Sequence, residues 1–354
     1  MGAKVEDTSP LLAEDRQISP LGLQSRGDVG SSPTQKSAAG EHSLSVKLLA
    51  AAFYGGASLS IMFVLKYVLT TFGFPSASLV ALFQMAITIT LLPGLKAFKY
   101  ISYPDISSAA IMAPFPLPLL FLGNTVSSLL ATKGISIPMY TCLRRFTVLF
   151  LMLGETWSLG VVHSSRIKLS VFFMVFGAIV AASNDLSFHL ASYIAIFAAD
   201  VFTAANGVVV KRKLSTLPPA GGKKQIELGK WGLAFYNSLW SLPLLGTYMV
   251  LFKQNELERA AAFSEWRNPV FVVLFLLSGL MGIVIQLSIF YCTQINGPLF
   301  TGVIGSLKNI ISTFLGMVLP GMDYVFSLVN FIGVCTSLGG AVYYSYLRTF
   351  GKKN

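Results

Sequence analysis

Apolar residues run along this chain in ten long blocks separated by short polar stretches. They cover approximately 46–72, 77–95, 106–130, 136–154, 168–184, 188–210, 231–252, 269–293, 298–319 and 324–347. Blocks of ~20 apolar residues are long enough to cross a bilayer as helices. The pattern predicts an all-α membrane protein with ten transmembrane helices over residues 44–349. Residues 1–43 are rich in Ser, Gly, Pro and charge and read as a disordered tail, while 350–354 form a short C-terminal tail. The chain does not begin with a basic region and a short apolar run, so no cleaved signal peptide is expected.

With ten crossings both termini face one side, and the basic residues say which. The N-terminal tail, the edge of block 1, the loops after blocks 2, 4 and 6, and the C-terminus together hold eighteen Lys and Arg, against four (Lys133, Lys253, Arg259 and Arg267) in the opposite loops. That asymmetry predicts that both termini are cytosolic. Five blocks in each half, about 44–185 and 186–349, is an odd number. If the halves are duplicates they have opposite orientations, and inverted repeats of this kind place a substrate site at the midplane.

Composition agrees with the pattern. The chain is 54% hydrophobic and 12% charged, with mean hydropathy +0.67, whereas a soluble domain carries roughly 25% charge. The net charge of +11 is scattered between apolar blocks, which favours membrane topology over nucleic-acid binding. Cys142, Cys292 and Cys335 all fall within apolar blocks without a CxxC pattern. Neither a structural disulfide nor a zinc site is expected, and no cofactor is implied. Paired acids at one depth, HExxH and a Ser/His/Asp arrangement are all missing from the sequence, so an enzyme is not expected.

The chemistry lies in the few polar residues inside the blocks. Lys308 stands in the middle of block 9, where a bare charge costs roughly 2.5–3.5 kcal/mol by insertion scales. Thr301, Gly305 and Lys308 fall at i, i+4 and i+7, so they share a helix face suited to an anion. Block 4 carries an echo. Pro138 to Thr141 followed by Leu143, Arg144 and Arg145 resembles Pro298 to Thr301 followed by Leu307, Lys308 and Asn309. Adjacent residues point about 100° apart on a helix, so only one of the two arginines can face a cavity. Arg144 aligns with Lys308 and is assigned to the substrate. Asp200, the one acid clearly inside a block, needs a counter-charge, for which Arg145 is the stronger candidate. In block 7, Asn237 beside Tyr236 and Ser238 offers both amide donors and an acceptor, suiting a nucleobase edge, with the tyrosine ring as a stacking surface. The alternative is that Asn237 bonds a neighbouring helix. Asn206-Gly207 and Tyr54-Gly55-Gly56 read equally well as close helix packing. In the tail, Asp7-Thr8-Ser9-Pro10-Leu11-Leu12 fits an acidic dileucine, a form through which a sorting adaptor binds, although so short a pattern also arises by chance.

The longer motifs resemble a known family. Phe115 to Asn124 reads FPLPLLFLGN, Ile137 to Thr147 reads IPMYTCLRRFT, and Gly177 to Phe188 reads GAIVAASNDLSF. With Phe202 to Gly207, Cys292 to Gln294 and Gly305 to Asn309, they resemble the nucleotide-sugar transporters of solute carrier family 35, subfamily D, within the drug/metabolite transporter superfamily. The resemblance spans Tyr54 to Tyr346. It implies a ten-helix antiporter of the Golgi or endoplasmic reticulum membrane that brings a UDP-sugar (such as UDP-N-acetylglucosamine, UDP-glucose or UDP-glucuronate) into the lumen in exchange for UMP, and it leaves room for a homodimer. In related GDP-mannose carriers a Phe-Tyr-Asn-Asn motif contacts the base, and Gly-Ala-Leu-Asn-Lys contacts the sugar and phosphate. The matching positions here are Phe235-Tyr236-Asn237-Ser238 and Gly305-Ser306-Leu307-Lys308-Asn309, so the resemblance implies roles for Tyr236, Asn237, Ser238, Gly305, Ser306, Lys308 and Asn309. It implies a pocket-lining role for Tyr54 as well. Ser238 departs from the second asparagine, and Lys308-Asn309 reverses the order. The Lys-Asn order resembles the UDP-sugar branch, whereas block 7 is closer to the GDP-mannose branch. A GDP-sugar carrier and a non-transporting membrane scaffold therefore stand as alternatives.

Overall fold

The computed structural model describes residues 43–131, 140, 143–183, 190–215, 227–307 and 328–350. Among these residues the regular structure is helical throughout, with no strand. The N-terminal tail, including Asp7, Leu11 and Leu12, lies outside the described residues, as do Lys308 and Asn309.

Described helices fall on each of the ten apolar blocks, and five stretches are long and apolar enough to cross a membrane. Helix α1 (Leu44–Lys66) starts at Ser43, whose hydroxyl accepts the Val46 N–H, and runs on through a π-helical turn over Tyr67–Thr71. Helix α2 (Ala77–Ala97) is capped by Ser76, which accepts the Leu79 N–H at 3.1 Å. These hydroxyls satisfy amides that a helix start would otherwise leave bare. Block 3 is a short helix α3 (Ser108–Met112), a turn, and then α4 (Leu117–Ala131). There follow α5 (Phe146–Leu159), α6 (Ser165–Ala182), α7 (Leu190–Leu214) and α8 (Gly229–Phe252). A surface helix α9 (Gln254–Ala261) leads to α10 (Pro269–Asn296), which begins with Asn268 as cap and Pro269 in its first turn. Last come α11 (Pro298–Leu307) and α12 (Leu328–Phe350).

Large apolar side chains point outward along these helices: Leu49 is 65% exposed, Ile194 61% and Val273 62%. Such a surface is matched to lipid, and the protein is a multi-pass membrane protein. Inside, small residues set the packing. A Cβ on Gly177 of α6 would lie 2.5 Å from the Ser337 amide nitrogen, and one on Gly333 of α12 would lie 2.3 Å from that of Ala181. The two backbones touch through paired glycines, as membrane helices do when apolar burial from water cannot drive their association. Helices α4 and α7 also pack along their length, with the Phe202 ring seated on Gly123. Helix α10 lies against α1 and α2.

Candidate functional site

Asp200 is fully enclosed in the middle of α7, surrounded by apolar sequence. An acid in that position requires a partner, and the partner is Arg144. Its Nη1 lies 3.1 Å from Asp200 Oδ1. Thr147 donates to the same oxygen at 2.5 Å. Arg144 Nη1 also reaches Thr203 Oγ1 at 3.2 Å and Asn124 Oδ1 at 3.4 Å, and the Thr203 hydroxyl donates to Asn124 at 2.8 Å. The sequence favoured Arg145 as the counter-charge; the structure gives the task to Arg144. Arg145, one residue on, is 3% exposed. The two arginines diverge as adjacent helical positions must.

The pairing does not exhaust Arg144. A guanidinium has five N–H donors, and each of these bonds to described residues uses Nη1. The Arg144 side chain remains 22% exposed while that of Asp200 is closed off. Among the described residues, donors are left over for an anion.

Beside this cluster, α2, α4, α7, α8 and α10 enclose a cavity of about 250 Å³. Its polar lining comprises Gln84, Thr88, Asn206, Asn237, Ser238 and Gln286, and its apolar wall includes Met85, Leu117, Phe121 and Phe290. The described lining contains no charged residue and is rich in side-chain amides. Asn237 and Ser238 stand in the wall. Asn237 Oδ1 is buried and accepts no hydrogen bond among the described residues. Tyr236 turns elsewhere: its hydroxyl donates to the Pro104 carbonyl at 2.9 Å, and its ring packs edge-on against Phe235 and Tyr103. The rings that border the cavity are those of Phe121 and Phe290.

Cavity and charge cluster draw on successive turns of α7. Asp200, Thr203 and Asn206 follow one another at spacing three, so each neighbours the next on the helix surface while Asn206 is turned about 120° from Asp200. At 1.5 Å per residue, Asn206 stands about 9 Å along the axis from Asp200. Helix α4 repeats the relation, with Phe121 at the cavity and Asn124 at the cluster, three residues apart.

The residues read from block 9 are distributed differently. Tyr54 is buried, and a Cβ on Gly305 would lie 3.0 Å from its hydroxyl, so α1 and α11 meet there at close range. Thr301 turns its hydroxyl back to the Gly297 carbonyl at 3.0 Å and sits 3.2 Å from Thr293 Oγ1 on α10. Ser306 bonds the Gly302 carbonyl at 3.1 Å. Both hydroxyls are occupied within the protein. The sequence reading did not select Gln84, Gln286, Asn124 or Thr203, and it took Asn206 equally as a packing residue. The available signal was an amide inside an apolar block, the same cue that drew attention to Asn237.

A lipid-facing helical bundle that holds a polar cavity, with a buried charge cluster on two of the helices that line it, has the build of a membrane carrier. The sequence model of the Triose-phosphate Transporter family matches residues 44–345, and the chain belongs to that family. It is 41% identical to the human nucleotide sugar transporter SLC35D2 over 301 residues, covering 85% of this chain and 86% of that protein. It is 42% identical to the UDP-sugar transporter UST74c of Drosophila melanogaster over 308 residues, covering 87% and 79%. A solved crystal structure shares the fold at TM-score 0.61 and 14% identity, over 86% of this chain and 99% of that one. The resemblance read from the motifs is borne out, and both relatives are named as transporters rather than enzymes.

Proposed function

We propose that this chain is a nucleotide-sugar antiporter of the Golgi or endoplasmic reticulum membrane, bringing a UDP-sugar into the lumen in exchange for UMP. The observation that carries the reading is the neutral, amide-lined cavity near an arginine whose donors are only partly used among the described residues. A nucleotide has the same two ends. Its base is flat, uncharged and rich in hydrogen-bonding groups, and its phosphates need cations. The cavity, at about 250 Å³, is smaller than the ~300–1,000 Å³ of a site that encloses a whole drug-sized ligand. It suits the base end, with the phosphates lying along α7 toward Arg144.

In this reading Arg144 and Lys308 together balance the diphosphate, which could not otherwise enter a low-dielectric chamber. Ten spans form two inverted five-helix repeats, both termini are cytosolic, and the halves rock about the site to expose it to each side in turn. The sugar-facing residues are Gly305, Ser306 and Asn309, with Tyr54 at the wall. The names of the relatives support a nucleotide sugar, and that of UST74c supports UDP. A second reading, a GDP-sugar carrier, is favoured by the Phe235-Tyr236-Asn237 stretch alone. Uptake of a labelled UDP-sugar into proteoliposomes holding UMP tests the proposal; uptake that responds to GMP and ignores UMP would replace it with the second reading.

A further inference from the structure

Two of the amides in the cavity wall lie outside the motif of block 7 and make no side-chain hydrogen bond among the described residues. Gln84 projects from α2 and Gln286 from α10, and both line the cavity. Their positions are coupled through Gly282, which also lines it. A Cβ there would meet Gln84 Cβ and Cγ at 2.7 Å and Cδ at 3.0 Å, so the Gln84 side chain lies directly across that glycine. Gln286 is four residues further along α10, on the same face as Gly282. The α2–α10 wall thus carries two carboxamides, lining a chamber whose other walls carry Asn206, Asn237 and Ser238.

An amide inside a membrane bundle usually bonds an adjacent helix. Neither glutamine side chain does so among the described residues, although Thr88, one turn from Gln84, donates to the Gln84 backbone carbonyl at 2.8 Å. Each therefore holds two N–H donors and a carbonyl acceptor open to the chamber, in a place where unmet polar groups are costly. A ligand with its own alternating donors and acceptors would meet that need. Uracil presents acceptor, donor, acceptor along its edge (O4, N3–H, O2), and one carboxamide can engage the N3–H and a neighbouring carbonyl together.

We infer that Gln84 and Gln286 read the hydrogen-bonding edge of the substrate's base, with Gly282 providing the space that fixes Gln84. This rests on the nucleotide reading above and adds to it two specificity-determining residues outside the block 7 motif. Guanine, which presents two adjacent donors beside one acceptor, calls for a surplus of acceptors. Gln286→Glu supplies that surplus with almost no change of shape.

The test is binding of UMP, GMP and ribose 5-phosphate to the purified full-length protein, followed by thermal stabilisation. Gln84→Leu and Gln286→Leu should each raise the UMP concentration needed for half-maximal stabilisation roughly three- to tenfold, as the loss of one or two hydrogen bonds allows. Ribose 5-phosphate, which has no base, should be unaffected. Gln286→Glu, the variant that keeps shape if leucine perturbs folding, should shift preference from UMP toward GMP. Equal UMP binding by the native protein and both leucine variants overturns the inference, as does an equal loss for UMP and ribose 5-phosphate. Native protein that prefers GMP, with the same loss in the leucine variants, upholds base reading and removes the UDP assignment. Native protein that binds neither nucleotide removes both.

Discussion

Arg144 and Asp200 stand 56 residues apart in sequence and 3.1 Å apart in space, and of the two side chains only the arginine keeps accessible surface. The asymmetry makes their losses unequal. Arg144→Met leaves a fully buried carboxylate without its cation, a change that typically costs about 3–5 kcal/mol. Asp200→Leu leaves an arginine that can still turn to the chamber, so it should cost less. Replacing both with apolar residues should recover much of the stability without restoring exchange, since a buried pair often contributes little net. Thermal unfolding of the three variants in detergent checks this. Equal melting of Arg144→Met and native protein would contradict it.

Glu155 closes the junction between α10 and α11. Its Oε1 accepts the Leu299 N–H at 2.7 Å, one of the free amides at the start of α11. Gly297 makes the approach possible, with φ +94° and a missing Cβ that would lie 3.0 Å from that oxygen. Glu155→Ala should destabilise the protein by about 1–3 kcal/mol by leaving a buried donor unmet, while Glu155→Gln, which retains an acceptor, should lose less. Unfolding temperatures, with amide exchange at Leu299, measure both. Rapid exchange at Leu299 in the native protein would refute the contact.

Ser238 is 2% exposed and lies in the cavity wall next to Asn237. It offers one short hydroxyl where a second amide would serve guanine better. Ser238→Asn should shift competition for uptake from UMP toward GMP by roughly three- to tenfold, the worth of about one hydrogen bond. Competition assays on both proteins decide it; an unchanged ratio would place base selection elsewhere.

The distribution of basic residues predicts cytosolic termini. A C-terminal tag should be reached by antibody once the plasma membrane alone is permeabilised. A tag reached only after the organelle membrane is opened would reverse the orientation of the site.

Much of the helical architecture was legible because membrane crossings are long and apolar by necessity; every block contains described helix, although parts of blocks 4 and 9 lie outside the described residues. Asn237 and Ser238 were legible for a related reason, since a polar side chain stands out in an apolar block. The pairing of Asp200 was not. Arg144 and Arg145 are neighbours of identical chemistry, and which one meets Asp200 depends on how α7 rotates against the start of α5. The direction of Tyr236 was hidden too: its partner is a backbone carbonyl at Pro104, and a carbonyl leaves no trace in composition. Gln84 and Gln286 could have been noticed singly, but their sharing of one cavity, with Gln84 seated on Gly282, belongs to the packing of α2 on α10.

The central claim is exchange of a UDP-sugar for UMP through a site that joins an amide cavity to basic residues. Purified protein in liposomes preloaded with UMP should take up a labelled UDP-sugar several times faster than in empty liposomes. Lys308→Ala, folded and reconstituted to the same level, should lose that stimulation. UMP-independent uptake, or stimulated uptake that survives Lys308→Ala at the native rate, would contradict the account.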